Sequence, residues 1–312
     1  MQKTSKIYIA GHCGLVGSAL LRRLQSDAYT NLCYASSSEL DLRNLQAVQF
    51  FFEKEKPEYV FLAAAKVGGI MANATQPFDF LYDNVQIQNN VIHSAWQYGA
   101  KKLLFLGSSC IYPKFATQPI AEKELLNGYL ESTNEAYAIA KIAGIKLCQA
   151  LHAQYGCDFI CAMPTNLYGL NDNYHAENAH VLPALLQKIH QAKIDNLPSV
   201  MLWGTGEPRR EFLFADDLAD ALLFLMQHYN SSEIINVGSA DEMSIANLAK
   251  AICQVVGYTG KILWDTSKPD GTPRKKLDLT KIEQLGWQAK TPFLEGLKQV
   301  YESKFALKDK II

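Results

Sequence analysis

Residues 6–24 constrain the fold more than any other stretch. Lys6 to Ala10 (KIYIA) is a short β-branched and aromatic run that stops at a glycine, the mark of a buried strand. Gly11-His12-Cys13-Gly14-Leu15-Val16-Gly17 follows, and Ser18 to Leu24 then carries apolar residues at helical spacing. Strand, glycine turn and helix together open a βα crossover, the connection that parallel strands require. In that setting the glycines have separate tasks. One turns the chain, another admits a pyrophosphate, and a third lets helix and strand pack closely, with the helix N-terminus facing the phosphates. The spacing is GxxGxxG, not the commoner GxGxxG, and a plain tight loop would also use glycines. The flanking strand and helix favour dinucleotide binding.

The alternation then continues. Leu32 to Ala35 reads as a strand, Gln46 to Lys54 as a helix broken by Pro57, and Tyr59 to Ala63 as a strand entering the small-residue loop Ala64-Ala65-Lys66-Val67-Gly68-Gly69. Phe78 to Tyr98 is a long helix, and Lys102 to Leu106 a buried strand that delivers Gly107-Ser108-Ser109-Cys110 at its carboxyl end. Tyr137 to Tyr155 is helical, with small residues (Ala138, Ala140, Ala143, Gly144) suited to close packing. Asp158 to Met163 is a further strand, leading into Pro164-Thr165-Asn166-Leu167. The expected fold is a Rossmann-type α/β doubly wound parallel sheet, whose ligands gather outside the carboxyl ends of its strands. After Gly169 the alternation decays. Asn171 to His180 reads as a loop, Val181 to Ala192 as a helix, Val200 to Trp203 as a strand, and Gly204 to Glu211 as a charged turn. Asp216 to Tyr229 is helical, Glu233 to Val237 a strand, and Ser244 to Val256 a helix capped by Ser244. Residues 268–276 form a basic turn. The division this suggests is a dinucleotide-binding domain over 1–169, with return segments near 212–240, and a mainly substrate-binding region over 170–312. Beyond the second strand, Ser36-Ser37-Ser38 offers neither the acid that takes a ribose 2′-hydroxyl nor the arginine that suits a 2′-phosphate. Asp41 could reach an adenine or cap the next helix.

Two residues bring chemistry. Tyr137 and Lys141 lie four apart, one turn from each other on a helix face. A cation there favours the phenolate and lowers a pKa that is otherwise near 10, which makes proton exchange with an alcohol or ketone feasible. Ser108 could donate a second hydrogen bond to the same carbonyl oxygen. Composition removes several alternatives. The 312 residues carry a net charge of −1 with mixed signs, so neither a nucleic-acid groove nor a polybasic membrane patch is expected. No apolar run approaches the ~20 residues of a membrane span. The N-terminus lacks a signal-peptide layout. Seven scattered cysteines form no CxxC pair and no metal spacing, so a reduced, cytoplasmic compartment without zinc is the default.

The glycine loop, Ser108, Tyr137 and Lys141 together resemble the extended short-chain dehydrogenase/reductase family. Longer stretches resemble its GDP-sugar epimerase/reductases: AAAKVGGIMAN (63–73), FLGSSCIYPK (105–114), NEAYAIAKIAGIKLC (134–148), MPTNLYG (163–169), LWGTGEPRREFL (202–213) and SKPDGTPRK (267–275). The resemblance implies conversion of GDP-4-keto-6-deoxy-D-mannose to GDP-L-fucose, by epimerisation at C3 and C5 and NADPH-dependent reduction at C4. Another GDP-4-keto sugar, a different deoxysugar or a heptose, is the alternative. By the same resemblance Cys110 is the epimerising base and His180 the acid, while Ser108, Tyr137 and Lys141 serve the carbonyl. Cofactor contacts fall to Gly11, His12, Cys13, Gly14, Leu15, Val16, Gly17, Ser37, Asp41, Leu42, Ala64, Leu106, Gly107, Ser108, Ser109, Lys141, Pro164, Thr165, Asn166, Leu167 and His180. Substrate contacts fall to Lys188, Trp203, Arg210 and Asp270. Family members carry arginines where Cys13 and, nearby, Ser37 stand, both addressing the 2′-phosphate, which leaves NADH use open. A homodimer pairing through the 78–98 and 137–155 helices is also implied. Without the resemblance, Cys110 reads as a small buried hydrophobe, His180 as a helix cap, Trp203 as core and Lys188 as a solvated charge.

Overall fold

The computed structural model describes residues 1–174, 179–268 and 270–306. Residues 175–178 of the expected loop and Pro269 of the basic turn lie outside the described residues. β1 (Ile7–Ala10) feeds α1 (Leu15–Ser26), followed by β2 (Leu32–Cys33), α2 (Leu45–Glu55), β3 (Tyr59–Leu62), α3 (Ile70–Thr75), α4 (Pro77–Gln97) and β4 (Lys102–Leu106). A 3-10 turn over Ser109–Ile111 leaves β4, and α5 (Glu135–Tyr155), β5 (Asp158–Pro164) and β6 (Asn166–Tyr168) complete the first half. The second half runs α6 (Val181–Ile194), β7 (Ser199–Trp203), β8 (Arg209–Phe214), α7 (Ala215–His228), β9 (Ile235–Val237), β10 (Glu242–Ser244) and α8 (Ile245–Val256). It ends with β11 (Lys261–Asp265), β12 (Arg274–Lys275), α9 (Thr280–Gln284) and α10 (Phe293–Tyr301).

The main sheet has the order β2-β1-β3-β4-β5-β9, and every pairing in it is parallel. The chain leaves β2, passes β1 and re-enters on its far side as β3, which makes the carboxyl ends of β1 and β3 the topological switch where such sheets bind ligands. Helices cover the sheet, so β1, β4 and β5 are buried almost throughout and read as continuous apolar runs. A smaller sheet sets β8 between β10 and β12, with β6 also parallel to β8, and β7 pairs in parallel with β11. One hydrophobic cluster fills the main sheet and its helices. A second joins Tyr168, Leu186, Leu202, Phe212, Leu248 and Leu297.

Two local expectations are corrected. The segment Gly204 to Glu211 is not all turn, because Arg209 already begins β8. Arg209 pairs with Glu242 and Glu211 is buried, both through partners far along the chain that a local reading cannot see. Glu211 is the clearest case: it is fully buried, and its carboxylate accepts from the Ser239, Ala240 and Leu277 backbone N–H groups at 2.7, 3.0 and 3.0 Å. The capping role left open for Asp41 belongs instead to Asn44, whose side chain accepts from Ala47 N, while Asp41 pairs with Arg43. Ser244 caps α8 as expected. The sequence reading also passed over α3, α10 and β11, and over the two- or three-residue strands β6, β10 and β12, which are too short to carry a periodic signal.

Helices α4 and α5 lie close together, and Gln88 Nε2 reaches across to Ala140 O at 2.6 Å. Gly144 permits this contact, since a Cβ there would meet the Phe105 ring at 2.6 Å and Gln88 Cδ at 2.9 Å. Gly144→Ala gains helix propensity but overpacks, and a net loss of about 1–2 kcal/mol is expected from urea unfolding. An unchanged midpoint would mean that Phe105 and Gln88 yield at little cost.

Candidate active site

The glycine loop divides its labour as the spacing implied. Gly11 turns at φ +89°, and a Cβ there would lie 2.8 Å from Ala64 backbone atoms. At Gly17 a Cβ would lie 2.0 Å from Gly11 O, so the loop closes on α1 only with glycine there. Gly14 is the N-cap of α1 and supplies no side-chain hydrogen bond, leaving the first-turn N–H groups of Leu15 and Val16 for an anion. His12 stacks at 4.6 Å on Tyr34, with Cys13 Sγ 3.2 Å from its Nε2, and its Nδ1 is buried without a partner. A cradle that a Cβ would fill, uncapped N–H groups and an orphaned ring nitrogen fit a dinucleotide pyrophosphate. The ribose end is different. Ser37 is exposed in the turn beyond β2, and Cys13 is exposed too, so neither position offers charge to a 2′-phosphate. Arg43 is held by Asp41 and Asp83, and Lys66 by Asp79 and Asp83. Asn90 Nδ2 holds Leu42 O at 2.9 Å, while Thr165, between β5 and β6, and Asn166, the first residue of β6, both reach Glu211 O.

Ser108 leaves the carboxyl end of β4 beside the first residues of α5. Its hydroxyl accepts from Cys110 N at 3.2 Å and also engages the Tyr137 phenol. Lys141 Nζ donates to Leu106 O at 2.9 Å and sits 5.8 Å from the Tyr137 ring centroid. The expected lowering of the phenol pKa is corrected here. Burial, with Cys110 nearby, pushes the Tyr137 pKa up, and the Ser108 hydrogen bond only partly opposes it. Burial also pushes Lys141 down to about 7. Desolvation disfavours both charged forms, so a half-neutral lysine exerts little field on the ring. Tyr137 therefore holds its proton at neutral pH, the state that a proton donor needs.

Opposite this pair, Cys110 Sγ receives Asn134 Nδ2 at 3.4 Å and Lys275 Nζ at 3.5 Å. His180 directly precedes α6 without capping it. It keeps exposed surface, yet the protein packed round its ring and then the Lys275 ammonium lower its pKa. Lys275 thus ties Cys110 to His180, a link that the sequence reading missed because it saw only a basic turn. Arg210 pairs with Lys275 in register across β8 and β12 and interacts electrostatically with Cys110 and Asp270. Asp270 in turn accepts from Thr205 N and Thr205 Oγ1 at 3.0 and 2.7 Å, bracing the turn after Trp203. Trp203 is 60% exposed, so the core reading of it fails and a flat face is left open. Lys188 is exposed on α6, two turns beyond His180. Among the described residues no cluster of three metal-ligating side chains occurs, and no helix is long and apolar enough to cross a membrane.

The lowered Lys141 pKa has a stability consequence. Unfolded, the amine binds its proton up to about 10.5, whereas folded it releases it near 7, so stability rises with pH across that window. Lys141→Met is expected to stabilise the fold by about 1–2 kcal/mol at pH 6, with the gain vanishing toward pH 10. Thermal unfolding of both proteins across that range checks it. A variant less stable at pH 6 would show that the Leu106 hydrogen bond outweighs desolvation.

Comparison with known proteins places this geometry. The NAD dependent epimerase/dehydratase family matches residues 7–238. GDP-L-fucose synthase 1 of Arabidopsis thaliana is 58% identical over 300 residues, covering 96% of this chain and 93% of its own. A GDP-6-OMe-4-keto-L-xylo-heptose reductase from C. jejuni superposes with a TM-score of 0.93 at 39% identity, covering 98% of this chain and 99% of that one. A GDP-L-fucose synthetase from Naegleria fowleri bound to NADP superposes with a TM-score of 0.90 at 31% identity, covering all of this chain and 97% of that one. With the glycine cradle, the Ser108–Tyr137–Lys141 group and a match over most of its length, the chain belongs to the NAD dependent epimerase/dehydratase family.

Proposed function

We propose that this protein converts GDP-4-keto-6-deoxy-D-mannose to GDP-L-fucose, epimerising C3 and C5 and then reducing C4. The observation that carries the reading is the meeting of two reactive sets. Ser108 and Tyr137 form a carbonyl-gripping pair, and Cys110, bonded to Lys275 beside His180, lies within reach of it. The C4 ketone acidifies the neighbouring C–H bonds. Cys110 removes a proton from C3 or C5, and His180 returns one to the opposite face. Its lowered pKa makes protonated His180 the stronger donor. The enolate oxygen accepts hydrogen bonds from Tyr137 and Ser108. For reduction, the glycine cradle would hold NADPH, which when bound would supply the hydride. Tyr137 gives the C4 oxygen its proton, while Lys141 holds α5 against the end of β4. Lys188 and Arg210 suit the diphosphate, Arg210 by its planar fork, and Trp203 suits a base or sugar face. Asp270 braces that end.

The similarity to the heptose reductase keeps a second reading, the same chemistry on a GDP-4-keto heptose. The higher identity to the Arabidopsis GDP-L-fucose synthase favours the deoxyhexose. Product NMR after incubation with each GDP-4-keto sugar separates them. We also propose a cytoplasmic homodimer pairing through α4 and α5. Phe78 and Tyr82 of α4, stacked at 5.4 Å, and Ile139 of α5 are exposed and apolar, which supports a partner there. The division into a dinucleotide-binding part over 1–169 and a mainly substrate-binding part over 170–312 belongs to the same reading.

Deuterium wash-in at C3 and C5, run in heavy water without reducing cofactor, isolates the epimerase half. Cys110→Ser should slow it by about two orders of magnitude, whereas Tyr137→Phe should stop reduction and slow wash-in less. Normal exchange in Cys110→Ala would remove Cys110 from the reaction. The uncharged ribose end gives a second outcome. The NADPH-to-NADH ratio of kcat/KM should stay below about 10², and Cys13→Arg should raise it by about tenfold by adding a charge-assisted hydrogen bond. A much stronger native preference would locate another cation at the site.

A further inference from the structure

Two donors from separate elements converge on one sulfur. Asn134, just before α5, reaches Cys110 Sγ at 3.4 Å, and Lys275 of β12 reaches it at 3.5 Å. A neutral thiol is a weak acceptor and has little use for an ammonium. A thiolate accepts both contacts. Lys275 is also held by more than a loop, since its strand pairs with β8 in register opposite Arg210. Tyr137 from α5 and Arg210 from β8 also interact electrostatically with the sulfur, and Lys275 acts on His180 in turn. Arg210, like Lys275, brings positive charge to that side of the sulfur.

We propose that Lys275 is a positioning residue which, with Asn134, keeps Cys110 as the thiolate that abstracts the C3 and C5 protons. The proposal deepens the epimerase reading and rests on it. Lys275 needs no contact with the sugar for this role, because it acts through the sulfur.

The test reads the thiol directly. Cys110 in the intact protein is alkylated with iodoacetamide between pH 6 and 10, without substrate, and quantified by peptide mass spectrometry. At pH 7, Lys275→Gln should slow alkylation about fivefold: the thiolate becomes roughly tenfold rarer, partly offset by its greater nucleophilicity. The gap should close near pH 10, where the thiol ionises unaided, and Lys275→Arg should restore most of the rate. Asn134→Leu should give a smaller slowing in the same direction. The exposed Cys13, alkylated in the same samples, should react equally in all of them, and a change there would expose a folding defect. Wild-type reactivity of Cys110 at pH 7 in both Lys275→Gln and Asn134→Leu overturns the proposal. Deuterium wash-in separates it from the reading beneath. Lys275-dependent alkylation in a protein that shows no wash-in with the 4-keto sugar leaves the thiolate in place and removes the epimerase. Normal wash-in with Lys275-independent alkylation does the reverse.

Discussion

A single buried carboxylate holds the two halves of the molecule in register. Glu211 sits in β8 with no solvent contact, and burial raises its pKa even as backbone N–H groups pull it down. Burying such a group is costly unless its oxygens are satisfied, and three N–H groups from the Ser239–Ala240 turn and from Leu277 do so. Gly238 must stay a glycine for this, since a Cβ there would fall 2.0 Å from Glu211 Oε1. The carboxylate thereby joins β8 to the exit of β9 and to the chain just after β12. Its neighbours along those strands are Arg210 and Lys275, the two cations beside Cys110. Thr165 and Asn166 reach the Glu211 carbonyl as well, so the loop after β5 is drawn to the same anchor.

Burial also governs the other side of the cleft. Tyr137 and Lys141 are near neighbours on α5, and desolvation is the largest influence on each, moving both pKa values toward the neutral forms. A protonated phenol anchored by Ser108 suits proton donation to a developing alkoxide better than a preformed phenolate would. Lys141 then acts mainly as a strut between α5 and the Leu106 carbonyl at the end of β4.

In the proposed dinucleotide site, pyrophosphate and ribose chemistry are separate. The pyrophosphate cradle is made of backbone: two close approaches that only glycine allows and the open N-terminus of α1. Such a site depends little on side-chain identity. The ribose end depends on side chains alone, and there serine and cysteine supply dipoles where a phosphate would favour cations.

The βα framework, the glycine cradle and the Ser108–Tyr137–Lys141 group were legible in the sequence because each rests on local spacing: apolar periods, glycines in a turn, an i,i+4 pair. Resemblance added Cys110, His180 and the GDP-sugar contacts, which no spacing rule would select. Lys275 and Glu211 stayed invisible, one inside a basic turn and the other inside a run of charges, because their partners lie far away along the chain. Asp41 was misjudged as a potential cap for a smaller reason, since Asn44 stands better placed three residues later. The sequence by itself determined which elements form and which chemical groups are present. Only the tertiary structure decided which charges face each other and how dry they are. Those two quantities set the direction of every shifted pKa in the cleft, because desolvation and long-range pairing exist only once the chain has packed.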